Sequence, residues 1–231
     1  MSIHAGTCPV CGSTAHKYLF LRQDAPVVAC ATCGLARLES PGAQADATAA
    51  VATDRRLVER CLSALARRGA ARRGLLVVTP DAATVSAGDF TVAETRTVAS
   101  IERDGIPGAA FESAALLLQL EHAANPVSVL ETIHASLAPG GHLVIATPLL
   151  GRGPAQYYFD LQTIQSVCLR SGFAELEWEA RNGAPLVLTA RRVTMPPRPV
   201  LSIVMPVFNE RATFERTLDA VLAKQLQGID K

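Results

Sequence analysis

Two Cys-x2-Cys pairs, Cys8/Cys11 and Cys30/Cys33, stand eighteen residues apart at the head of the chain. Each pair can occupy a tight turn that aims two thiolates at one ion. The intervening residues can return as a short hairpin and bring the pairs into tetrahedral geometry. Gly12 and Gly34 directly follow the second cysteine of each pair, where glycine suits a turn that points backbone N–H groups at sulfur. Two disulfides or four free core thiols would use the same residues, but in a reducing compartment paired cysteines more often mean metal. The spacing therefore predicts a zinc site at Cys8, Cys11, Cys30 and Cys33. With all four ligands supplied by protein, no position is left for substrate and the role is structural. His4 and His16 flank the set without being needed by it. Cys61 and Cys168 fall in apolar helical patterns and read as core residues.

The rest of the composition limits what such a site can belong to. The 231 residues suffice for one or two domains with a real core. The 22 basic and 21 acidic side chains nearly cancel, so there is no electrostatic reason to expect nucleic acid or an anionic membrane as partner. No apolar run reaches the roughly 18 residues that span a bilayer. The opening MSIHAGTCPVCG lacks a basic start followed by an apolar stretch, which reads as a cytoplasmic chain without an export signal.

Hydrophobic periodicity divides the chain further. Residues 1–40 carry the cysteine pairs, with strand-like pieces at 17–22 and 26–30. Residues 41–74 hold a loop of small residues and then a helix over 53–69, where Leu57, Val58, Cys61, Leu62 and Leu65 recur at three- and four-residue steps. From 75 the pattern alternates. Strands are expected at 75–79, 90–94, 113–120 and 142–147. Helices are expected at 126–137, with Asn125 as N-cap, and at 160–171, ending at Gly172. Pro139-Gly140-Gly141 should break the first of these helices. Segments 175–180 and 185–191, joined through Asn182-Gly183, read as a closing hairpin. Such alternation implies an α/β fold, a mostly parallel sheet with helices on both faces and an antiparallel strand added by the hairpin. The linker 194–199, TMPPRP, cannot enter a helix or central strand. A strand at 200–207 and a helix at about 210–225 follow it. A lone βα unit cannot bury both faces of its strand, so the chain reads as truncated, or this unit docks on something else.

Two families are recognisable. Residues 111–148 resemble the second half of a class I S-adenosylmethionine-dependent methyltransferase. The matching parts are a strand ending in Leu120-Glu121-His122, then Asn125-Pro126, a helix, Pro139-Gly140-Gly141, and a strand ending Thr147-Pro148. The stretch YYFDLQTIQSVCLRSGFAELEW resembles that family's next helix and strand. The resemblance covers about 75–192 and implies a Rossmann-like sheet over 75–193; a zinc ribbon like that expected at 1–40 precedes some such enzymes. It also implies cofactor contact at Glu94, where the family carries an acid for the ribose hydroxyls, although an exposed strand-end glutamate would look the same. Glu121 and His122 stand where sugar and small-molecule methyltransferases place a general base; for His122, packing against or capping the following turn is the favoured reading over catalysis. Tyr157 and Tyr158 read as a buried pair. Active members cradle the cofactor on a Gly-rich loop after the first strand. Here that stretch is PDAATVSAGDF, with only Gly88 and a proline at its start. The strands stand only about ten residues apart, short for a glycine loop plus a crossover helix. The pattern predicts a methyltransferase-like domain deficient in S-adenosylmethionine binding.

The second resemblance lies at 201–222. LSIVMPVFNERATFERTLDAVL is similar to the opening of a family 2 glycosyltransferase of the GT-A fold, most like enzymes that transfer sugars to polyprenyl or dolichyl phosphate. It implies nucleotide-sugar contact at Pro206, Phe208 and Glu210, at the carboxyl end of a strand; Asn209 is explained by N-capping alone. Residues 200–231 would then be the amino-terminal fragment of that domain, with its acidic metal motif beyond Lys231. The favoured expectation is a cofactor-deficient, zinc-containing methyltransferase-like module ahead of a glycosyltransferase, in glycan or lipid-linked sugar assembly. An active methyltransferase and a zinc-ribbon binding module are the alternatives.

Overall fold

The computed structural model describes residues 6–22, 25–39, 54–80, 87–108, 110–148, 155–181 and 183–193. The linker at 194–199, the strand and helix expected at 200–231, His4, the loop at 41–50 and Asn182 lie outside them. Met1–Val193 forms one compact unit and Thr194–Lys231 a second.

The core is a six-stranded sheet. Four strands are parallel neighbours in the order β5 (Val92–Arg96), β4 (Leu75–Val78), β6 (Phe111–Leu117), β7 (Leu137–Thr147). β10 (Leu186–Arg192) then runs antiparallel to β7, and β9 (Phe173–Glu179) closes the edge antiparallel to β10. The near-continuous apolar strands follow from burial on both faces. Alternate residues serve opposite layers. Leu75, Val77, Ala115, Leu117, Val144, Ala146 and Val187 pack with Leu57, Val58, Cys61, Leu62 and Leu65 of α1 (Arg55–Arg67). Leu76, Val78, Ala114, Leu116, Leu143, Ile145 and Leu188 face the other way. They meet α2 (Val98–Asp104), α3 (Pro126–Ser136) and α4 (Leu161–Arg170) through Val98, Ile101, Leu130, Ile133, Ile164 and Val167.

Local chemistry sets the helix ends. Asp54 accepts from the Arg56 N–H at the start of α1, and Asn125 accepts from the N–H groups of Val127 and Ser128 at the start of α3. Asp160 and Thr163 form a reciprocal capping box on α4. α1 is also clamped to the sheet edge: Arg60 and Arg67 reach Glu179, and Arg68 reaches Glu175 and Glu177.

Several boundaries differ from those the pattern predicts. The strand expected at 90–94 is β5, starting at Val92, because Phe90 instead closes a turn whose N–H donates to the Ala87 carbonyl and buries its ring under α1. β6 stops at Leu117, short of 120; Leu118 takes a left-handed φ of 53° and Leu120–His122 form a single 3-10 turn. Pro139-Gly140-Gly141 does not separate α3 from its strand but lies within β7, as the register slips between Phe111 and Ser113. A Cβ on Gly141 would lie 2.9 Å from the Ala138 carbonyl oxygen, so that bend needs glycine.

A second, smaller sheet stands at the amino end: β1 (His16–Arg22), β2 (Ala25–Cys30) and β3 (Ala36–Leu38), with β8 (Tyr157–Tyr158) as its fourth strand, all antiparallel. Its last strand thus comes from the far half of the chain. No helix among the described residues is long and apolar enough to cross a membrane.

Candidate functional site

The two cysteine turns converge. The Sγ atoms of Cys8, Cys11, Cys30 and Cys33 all lie within 4.8 Å of one another, with Cys8 to Cys33 at 3.5 Å and Cys11 to Cys30 at 3.4 Å. Each turn is built alike. The Gly12 N–H donates to the Cys8 carbonyl and the Gly34 N–H to the Cys30 carbonyl, at 2.8 and 3.0 Å. Both glycines sit at positive φ, 71° and 81°, a conformation that favours this residue. A tetrahedral ion with metal–sulfur bonds of about 2.3 Å would place its sulfurs about 3.8 Å apart. The cluster matches that spacing and could hold a metal ion. His16 is not part of it; its Nδ1 meets the Thr14 carbonyl.

The thiols depend on one another. Burial works against the Cys30 thiolate, but the backbone of Cys33 and Thr32 and the thiols of Cys11 and Cys33 outweigh it and bring its pKa to about 6. Burial, together with the thiols alongside, pushes Cys33 and Cys11 up. One thiolate forms easily and discourages the next, an arrangement that a cation at the centre would resolve.

The cluster does not stand apart from the large sheet. Cys8, Val10, Cys30 and Leu35 share an apolar core with Leu120, Tyr157, Phe159 and Ile164. The Leu38 N–H donates to the Gln156 carbonyl, and the Gln156 N–H donates to the Glu121 carbonyl, both at 2.9 Å. The Tyr157 hydroxyl donates to the Ala124 carbonyl at 3.0 Å. Tyr157 and Tyr158 are both buried, and Tyr158 also receives the Arg22 guanidinium over its ring.

Beneath lies the carboxyl end of the parallel strands. The chain leaves β4 for β5 on one side and returns to β6 on the other, and open α/β sheets bind ligands at such a reversal. Glu121, just past β6, is only 2% exposed. Its carboxylate accepts from the Thr147 hydroxyl, at the end of β7, at 3.3 Å. Burial lifts it to about 7, against the opposing help of its own backbone and Thr147. His122 follows it in the 3-10 turn, and burial lowers its pKa. Leu118, with its unfavourable φ, lies two residues ahead of that turn, and backbone strain of this kind gathers at functional positions.

Glu94 is placed differently from the expectation. β5 continues to Arg96, so Glu94 lies two residues inside the strand and is ion-paired with Arg96. Arg96 itself holds the strand end. Glu102 on α2 was not signalled by any motif. It accepts from the Ala124 and Asn125 N–H groups ahead of α3, at 2.6 and 3.1 Å, a link that only the packing of α2 on α3 creates. Pro206, Phe208 and Glu210 lie outside the described residues.

No protein-family model matches the sequence, and no curated protein matches it either. Solved structures do. A 1,6-didemethyltoxoflavin-N1-methyltransferase from Burkholderia thailandensis, holding 1,6-didemethyltoxoflavin and S-adenosylhomocysteine, aligns at a TM-score of 0.51 and 16% identity, over 77% of this chain and 100% of its own. A possible histamine N-methyltransferase from Thermotoga maritima aligns at 0.43 and 15% identity, over 59% of this chain and 91% of its own. The first likeness assigns the fold: a methyltransferase-like, Rossmann-type mixed sheet. The glycosyltransferase resemblance at 201–222 finds no support in the comparisons.

Proposed function

We propose that this chain is a methyltransferase-like module with a structural zinc ion on Cys8, Cys11, Cys30 and Cys33, that it binds S-adenosylmethionine poorly, and that it serves a family 2 glycosyltransferase in glycan or lipid-linked sugar assembly. The observation that carries the cofactor part is the connection from β4 to β5. Ala87–Thr91 is taken up by the turn that seats Phe90 under α1. Only residues 79–86, opening Thr79-Pro80, remain for what would have to be a glycine-rich loop and a crossover helix. At the next strand Glu94 is neutralised by Arg96, which weakens the case for a free carboxylate waiting for ribose hydroxyls. Tetrathiolate ligation with no open position favours zinc in a structural role and a reducing, cytoplasmic setting. The sugar-nucleotide part rests on the resemblance at 201–222, with Pro206, Phe208 and Glu210 as the donor-contacting residues.

Titration calorimetry with S-adenosylmethionine tests the central claim. Binding no tighter than about millimolar, roughly −4 kcal/mol, is expected. A micromolar constant would overturn it and favour a second reading, an active methyltransferase for a sugar or small molecule. The observation behind that reading is Glu121, a buried carboxyl with a pKa of about 7 at the reversal point of the sheet, well matched to taking a proton from an acceptor hydroxyl. Glu94 and His122 would then be the next residues to replace.

A further inference from the structure

The cysteine cluster and the carboxyl end of the large sheet are linked by a short, continuous set of contacts. Cys30 ends β2 and Cys33 belongs to the turn leading into β3. β3 pairs with β8, Ala36 opposite Tyr158 and Arg37 opposite Tyr157. β8 follows Gln156, whose N–H holds the Glu121 carbonyl, while Tyr157 holds the Ala124 carbonyl. Glu121 is the middle residue of the 3-10 turn after β6, which follows the strained Leu118, and Ala124 stands two residues past its end. β8 has only two residues, and β3 is the only strand paired with it among the described residues. A strand that short has no stability of its own. It is held by β3 on one side and by the Glu121 and Ala124 carbonyls on the other, and β3, three residues long, is paired with β2 and follows the Cys33 turn directly.

We propose that the cysteine-bound metal acts as a clasp on the carboxyl end of the sheet: with metal bound, β3 holds β8 and β8 holds the Leu118–Ala124 turn; with metal removed, that turn and β8 open together while the rest of the sheet stays folded. This rests on the metal reading above and extends it from local folding of residues 6–39 to control of the turn that carries Glu121 and His122. The α1 face is not in the chain of contacts. α1 packs on β6, β7 and β10 through Leu57, Val58, Cys61, Leu62 and Leu65, none of which shares the core of the cysteine cluster. Loss of metal should therefore divide the molecule into an opened end and an intact centre.

Hydrogen exchange of the full chain, zinc-loaded and after removal of zinc by a chelator under reducing conditions, tests this, with bound zinc quantified in each sample. Peptides covering 118–124 and 155–160 are expected to exchange about tenfold faster or more after removal, along with 8–38, while 55–67 and 142–147 keep their protection. A second arm uses Leu38→Pro, which deletes the N–H that reaches Gln156 and leaves every cysteine in place. It should retain zinc and still deprotect 118–124. If zinc leaves and only 8–38 responds, the clasp is overturned while the metal reading stands. If removal exposes 142–147 as well, the metal holds the whole fold and the clasp is likewise overturned. If the reduced chain never holds zinc, it is the metal reading that fails.

Discussion

Glu121 shows how burial turns one side chain into a pH-dependent contribution to stability. Its ordinary value is 4.5 and its folded value about 7. The folded chain therefore binds this proton more tightly than the unfolded chain does. The contribution is fully present below 4.5 and is lost as pH rises through about 7, on the order of 3 kcal/mol in all. Glu121→Gln keeps the shape and removes the charge, so urea unfolding at pH 5 and pH 8 should differ less in the variant than in the parent, with the gain at pH 8. An unchanged difference would mean that the carboxyl is better solvated than its surroundings imply. Sequence alone could nominate Glu121, because the Leu-Glu-His ending is recognisable. It could not reveal the burial, which is shared by Thr147, 26 positions away, and by the small sheet above. Glu94 illustrates the reverse: its partner Arg96 was in plain view, yet the strand starts only at Val92, after Phe90 has packed under α1, and runs on to Arg96, which leaves Glu94 inside it.

Elements with their own periodicity were legible, and those defined by distant partners were not. α1 was readable because its apolar residues repeat at helical steps over 13 residues. α2 presents only Val98 and Ile101 to the core and opens on a Thr97–Ser100 box without the usual acidic or amide partner, so its seven residues carry little signal. β3 and β8 are too short to show a period at all and are defined by their partners, β3 by β2 and β8, and β8 by β3. The clamp between α1 and β9 is a further long-range feature with a measurable consequence. Arg68 is largely buried at its side chain and also donates to the Glu175 carbonyl at 2.8 Å. Arg68→Ala should cost about 1–2 kcal/mol in denaturant unfolding. Arg55→Ala, which breaks only the exposed pair with Glu59, should stay within about 0.5 kcal/mol. Equal effects would show that the β9 contacts contribute no more than a surface ion pair.

For the molecule as a whole, the metal expectation is the most direct to check. About one zinc per chain is expected, lost on replacing any one of Cys8, Cys11, Cys30 or Cys33 by serine, as coordination and local folding are coupled. Elemental analysis of reduced, unoxidised protein that finds none would refute it. The cysteine spacing and the alternating pattern made both halves of the unit readable in outline. What they could not supply was the junction, because nothing in residues 36–38 announces residues 157–158 as partners. That junction also bears on the order in which the chain can assemble. The β1–β2 hairpin and its thiols are neighbours in sequence and can close early, whereas the strand that completes their sheet arrives only after the whole parallel core has been made. Contacts of such long sequence separation form late and slowly. The amino-terminal segment can therefore gather its four thiols while still lacking a permanent seat, and its docking on the parallel core is expected to come late in folding.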